Sequence, residues 1–158
     1  MTNMYKRPTR AQALHEDTVY ELAKQFELRG FRVLADHPEW VGIPFNVENY
    51  RPDIIALRQY SNSNRVVESY LIEIETNDSY RTRHAIDQIS ALNKKGSEGI
   101  TVYWVIVCRL ISFLTIEKDK ALSLLRRYEL HYVQLAHFDP ISKKFEVHSR
   151  IFHEGGEE

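Results

Sequence analysis

The chain has 158 residues, of which 43% are hydrophobic and 27% charged, with a formal net charge of -1. That length suits one domain, taken as residues 1–158, and so even a charge balance leaves any polyanion site to local clustering. Cys108 is the sole cysteine, which excludes an internal disulfide and any multi-thiolate zinc or iron–sulfur centre.

Near the N-terminus, Pro8-Thr9-Arg10-Ala11-Gln12 carries Thr and Gln at capping-box spacing. Leu14, Val19, Leu22, Ala23 and Phe26 then recur at helical spacing up to Gly30, a residue suited to a left-handed stop. A long first helix is expected, followed by a strand over Phe31-Arg32-Val33-Leu34-Ala35. Residues 37–50 hold two prolines, Gly42, Trp40 and Phe45, and read as an irregular loop whose aromatics are candidates to face a ligand. Strands over about 53–59 and 65–76, separated by Ser61-Asn62-Ser63-Asn64, form an expected antiparallel hairpin.

Asn77-Asp78-Ser79 offers caps for a second helix running to about Lys94, with Ala85, Ile86, Ile89 and Leu92 as its apolar face and Gly96 as its end. The apolar run 100–116 is cut by Arg109, so residues 100–108 read as a buried central strand and not as a membrane span. With no apolar signal core in the first residues, the chain is expected to be cytoplasmic, without membrane contact. A third helix over 117–128 and weaker strands near 131–136 and 144–148 follow, and the acidic residues 154–158 are expected to fray. The order implies an α/β fold, a mixed sheet with helices on both faces.

Within this order, Arg51-Pro52-Asp53-Ile54-Ile55-Ala56 and Tyr70-Leu71-Ile72-Glu73-Ile74-Glu75-Thr76 alternate apolar and acidic residues. On a strand, Glu73 and Glu75 share one face while Ile72 and Ile74 fill the other. If the Asp53 strand pairs with this one, a third carboxylate joins them, and three acids beside a buried sheet repel one another unless a cation sits between them. Alone, such alternation is the ordinary pattern of a half-solvated sheet edge. His131, His137, His148 and His153 show no compact ligand spacing and read as structural or surface residues, and Cys108 as a packed thiol.

Pro52-Asp53, Glu73-Ile74-Glu75 and the element order resemble the PD-(D/E)XK nuclease superfamily, the restriction-endonuclease-like fold, with a core over about residues 10–108. Glu21-Leu22-Ala23 leading to Gly30-Phe31 is also similar to the archaeal Holliday-junction resolvase branch. The resemblance implies a metal-dependent nuclease, with Mg²⁺ or Mn²⁺ as cofactor, DNA as substrate and a homodimer as a fitting assembly.

By position, Asp53 and Glu73 would be metal ligands, and Glu75 stands where the superfamily usually has lysine. Glu75 is then a second-metal ligand or a general base, or Lys94 or Lys24 takes the missing lysine's part. Glu16 is favoured over Glu21 as the auxiliary acid from the first helix, and Gln88 as a supporting polar residue. Arg81, Arg83, Lys94 and Lys95 are candidate phosphate contacts. The departure at Glu75 keeps open an inactive nuclease-fold module that binds nucleic acid or a partner protein, and a non-nuclease α/β domain with a solvated acidic strand.

Overall fold

Burial on the first helix follows the 3.6-residue period: His15, Thr18, Val19, Leu22, Ala23 and Phe26 are buried along α1 (Thr9–Leu28). The helix stops at Gly30, whose φ is 95°, and the Phe31 N–H bonds the Phe26 carbonyl at 3.2 Å across the stop. The structure, a computed structural model, describes residues 9–59 and 65–148. The expected turn at Ser61-Asn62-Ser63-Asn64 and the tail 154–158 lie outside the described residues.

Beyond α1 come β1 (Arg32–Ala35), β2 (Ile54–Gln59), β3 (Val66–Thr76), α2 (Arg83–Gly96), β4 (Thr101–Val107), α3 (Leu110–Ser112), a π-helical turn (Phe113–Glu117), α4 (Lys118–Arg127), β5 (Val133–Phe138) and β6 (Phe145–Val147). The six strands form one mixed sheet in the order β1-β2-β3-β4-β5-β6. Pairings β1/β2, β2/β3 and β5/β6 are antiparallel, whereas β3/β4 and β4/β5 are parallel.

Each face of the sheet has its own apolar layer. Val19, Leu22 and Phe26 of α1 pack on Ile54, Ile72, Ile74 and Val105. On the opposite face Ile86, Ile89 and Leu92 of α2, with Phe113 and Leu125, cover Leu71, Trp104 and Ile106. Burying each such side chain contributes about 1.5–3 kcal/mol. Alternate residues of β3 therefore belong to opposite layers, and Glu73 and Glu75 share the α2 face with Leu71. Among the described residues no helix is long and apolar enough to cross a membrane.

Several local expectations are corrected. The cap of α2 is Thr82, whose side chain accepts from the Ala85 N–H at 3.2 Å. Asn77-Asp78-Ser79 instead forms the turn after β3: Ser79 Oγ accepts from the Thr76 N–H at 3.0 Å, and Thr76 Oγ1 bonds Asp78. The expected end of α2 at Gly96 is observed; a Cβ there would stand 2.5 Å from Tyr132 Cβ, so close approach to the chain entering β5 demands glycine. The third helical segment begins at Leu110, seven residues before the expected start, because Leu110, Ile111, Leu114 and Ile116 lie on an exposed side and give no amphipathic signal. Trp40 is structural, donating its indole N–H to the Val33 carbonyl at 3.0 Å, whereas Phe45 is 58% exposed.

Candidate functional site

The β2/β3 register pairs Ile54 with Ile72, which sets Asp53, the residue just before β2, across from Glu73. Both are buried, at 7% and 2% exposure, and Glu75 is equally enclosed at 2%. Buried acids need partners, and each has one. Asp53 Oδ2 accepts from the Ile74 N–H at 2.7 Å and lies 3.2 Å from His15 Nε2. Gln88 of α2 donates to Glu73 Oε2 at 3.0 Å, and Ser79 Oγ donates to Glu75 Oε1 at 2.6 Å.

These side chains line a cleft of about 750 Å³ together with Gln12, Glu16, Asp36, Arg51, Thr82 and His84. Its walls come from the N-terminal half of α1, the chain around β2, the end of β3 and the start of α2. Among the described residues, five carboxylates, Glu16, Asp36, Asp53, Glu73 and Glu75, face it against a single permanent cation, Arg51. Arg51 itself stands 3.9 Å from Asp36.

Burial is the largest influence on Asp53 and pushes its pKa up. The charge and hydrogen bond of the His15 ring, with hydrogen bonds from Glu73 and the Ile74 N–H, outweigh it and hold Asp53 below its ordinary 3.8. Asp53 and Glu73 thus act on one another while buried, where two carboxylates repel unless a proton or a cation lies between them. A divalent cation can take that proton's place, and oxygen donors of this kind suit Mg²⁺ or Mn²⁺.

Of the residues expected from the sequence, Asp53, Glu73, Glu75, Glu16 and Gln88 line this cleft. Glu16 accepts from Gln12 Nε2 at 2.8 Å and sits beside His15, the α1 residue that meets Asp53. The basic candidates do not line it. Arg83 is paired with Asp87 at 3.0 Å, Lys94 and Lys95 reach Glu48 at 3.9 and 3.8 Å, and Arg81 lies over the Tyr80 ring at 5.7 Å. Lys24, the other candidate for the lysine role, lies over the Tyr20 ring at 5.4 Å.

Arg51, Asp36 and His84 were not expected. Arg51 abuts the Pro52-Asp53 motif and its position there was a usable signal, but Asp36 and His84 reach the cleft only through the folding of the chain around β2 and α2. The chain matches no protein-family model and no curated protein.

Proposed function

We propose that the chain is a Mg²⁺- or Mn²⁺-dependent nuclease of the restriction-endonuclease-like kind, hydrolysing DNA phosphodiester bonds in the cleft between α1 and α2. The observation that carries this reading is the buried juxtaposition of the Asp53 and Glu73 carboxyl groups across the β2/β3 register, each held by a side chain from a different helix. The element order and the change from antiparallel to parallel pairing at β3 support it.

Asp53 and Glu73 would hold the cation, which supplies Lewis acidity and a lower pKa for a bound water. His15 and Gln88 are positioning residues: they fix the rotamers of the two acids so that their oxygens face the cleft. Glu75, held by Ser79, occupies the usual lysine position and serves as the carboxylate that accepts a proton from the attacking water. Arg51 at the same wall is the cation available to a phosphate oxygen.

Nicking of supercoiled plasmid and digestion of single-stranded DNA test this directly. Cutting is expected with Mg²⁺ or Mn²⁺ and a fall of at least about a hundredfold, roughly 2.7 kcal/mol of barrier, in Asp53→Ala. Equal cutting by parent and variant, or no cutting with either metal, refutes the assignment.

A second reading rests on the absence of lysine among the described cleft-lining residues. In it the chain is a module of nuclease fold that binds nucleic acid or a protein without cleaving. Calorimetric titration with Mg²⁺ separates the two, because the inactive module shows no Asp53-dependent uptake.

A further inference from the structure

At the other end of the sheet the β5/β6 hairpin gathers a second constellation. Antiparallel pairing sets His137 directly opposite Glu146, and His148, two residues further on, returns to the same face. One ring nitrogen of each histidine and one carboxylate oxygen of Glu146 lie within 4.8 Å of one another. The spacing in sequence conceals this grouping, since 137 and 148 become neighbours only through the hairpin.

The tautomer of the neutral His137 ring is fixed by its partner. Its Nε2 lies 2.8 Å from the Cys108 carbonyl, which can only accept, so in the neutral ring Nε2 carries the proton and Nδ1 the lone pair. A backbone carbonyl holding the far side of an imidazole is the usual outer support of a metal-bound histidine. His137 is 1% exposed, and its Nδ1 is buried without a hydrogen-bond partner. The same is true of His148 Nε2, which stands 3.9 Å from Glu146 Oε1, too far for a hydrogen bond. Phe113 closes the apolar side, its ring 4.5 Å from that of His137 and 4.7 Å from that of His148.

We propose that His137, Glu146 and His148 form a binding site for a divalent transition metal, with Zn²⁺ the best match. Two imidazoles and one carboxylate suit zinc and its neighbours, whereas magnesium and calcium prefer oxygen throughout. Tetrahedral zinc would bring the donors to about 3.4 Å apart, from bond lengths of about 2.0–2.2 Å. Glu146 and His148 lie on the edge strand and just beyond it, where small side-chain rotations achieve that closure. Burial, then the charges of Lys118 and His137, hold the His148 pKa below its ordinary 6.5, and the charge of Glu146 opposes them. Three protein ligands leave a fourth position for water or a solvent-borne ligand.

The test is calorimetric titration of the tag-free full chain with Zn²⁺, joined by visible absorption after Co²⁺ addition. Parent, Asp53→Ala, Glu146→Gln and His148→Ala are compared, with metal-free melting curves to show that each variant folds. The parent is expected to bind Zn²⁺ at this site in the micromolar range or tighter, and Asp53→Ala to retain it. Glu146→Gln and His148→Ala should each weaken binding by more than about tenfold, the least that even an outer partner costs. Uptake unaltered in His148→Ala and Glu146→Gln means adventitious surface binding and overturns the site. So does loss of all tight Zn²⁺ binding in Asp53→Ala, which would place the metal in the other cleft. Neither result bears on DNA cleavage.

Discussion

Replacing His15 with alanine probes how the buried Asp53 is kept charged. The variant removes the ring 3.2 Å from Asp53 Oδ2 and with it the strongest influence opposing burial. A hydrogen bond to a charged group contributes about 1.5–3 kcal/mol. For a chain of this size that corresponds to a fall in melting temperature of roughly 3–12 °C near neutral pH.

The pH dependence identifies the cause. Because Asp53 is held below 3.8 in the folded chain, its contribution to stability is present above that value and is lost as pH falls through the lower, folded pKa. In His15→Ala the folded value rises, so the stability that Asp53 loses on acidification is smaller and its loss ends at higher pH, and the gap between variant and parent narrows below about pH 4. Thermal unfolding followed by circular dichroism from pH 3 to 7 measures both effects. A melting temperature within about 1 °C of the parent at pH 7, with coincident acid limbs, refutes the coupling.

Tyr80→Phe deletes the hydroxyl that donates to the buried Glu117 at 2.6 Å and should cost about 1–3 kcal/mol in urea unfolding, with the slope unchanged. Gly96→Ala drives a methyl to 2.5 Å of Tyr132 Cβ and 2.7 Å of its carbonyl oxygen, and a loss of about 1–3 kcal/mol is expected in the same assay. Burial, then the charges of Glu117 and Asp139, push the Cys108 thiol up to about 12. A thiol-selective disulfide reagent at pH 8 should therefore label Cys108 slowly in the folded chain and quickly in denaturant. Mg²⁺ binding at Asp53 and Glu73 should release a proton, seen as a binding enthalpy that changes with the ionisation heat of the buffer.

The layers of the fold were legible because α1, α2 and β3 each repeat their apolar residues at a definite period. Ile72 and Ile74 against Glu73 and Glu75 also placed the acids correctly on one face. The parallel pairing of β4 with β3 and β5 left no such trace, since β4, buried on both sides, loses its alternation. The helical turn from Leu110 was concealed for a related reason: exposed Ile111 and Leu114 prolong the apolar run of the preceding strand past Arg109. At the cleft, Asp53 followed from its place beside the acidic strand, and Gln88 only from the family resemblance. The basic residues near α2 did not reach it, because Arg83 and Lys94 project toward acids elsewhere on the surface. His137 and His148 needed the hairpin register before their eleven-residue separation acquired meaning.

The alternating layers of β3 also determine which changes in chain length the protein can absorb. A residue deleted within 71–75 reverses the facing of every side chain beyond it, carrying carboxylates into the layer under α1 and isoleucines into the cleft. Paired deletions restore the facing at the expense of reach. Odd and even positions along this strand therefore act as a reading frame, and frame-preserving changes are the ones compatible with both a sealed core and an acidic cleft.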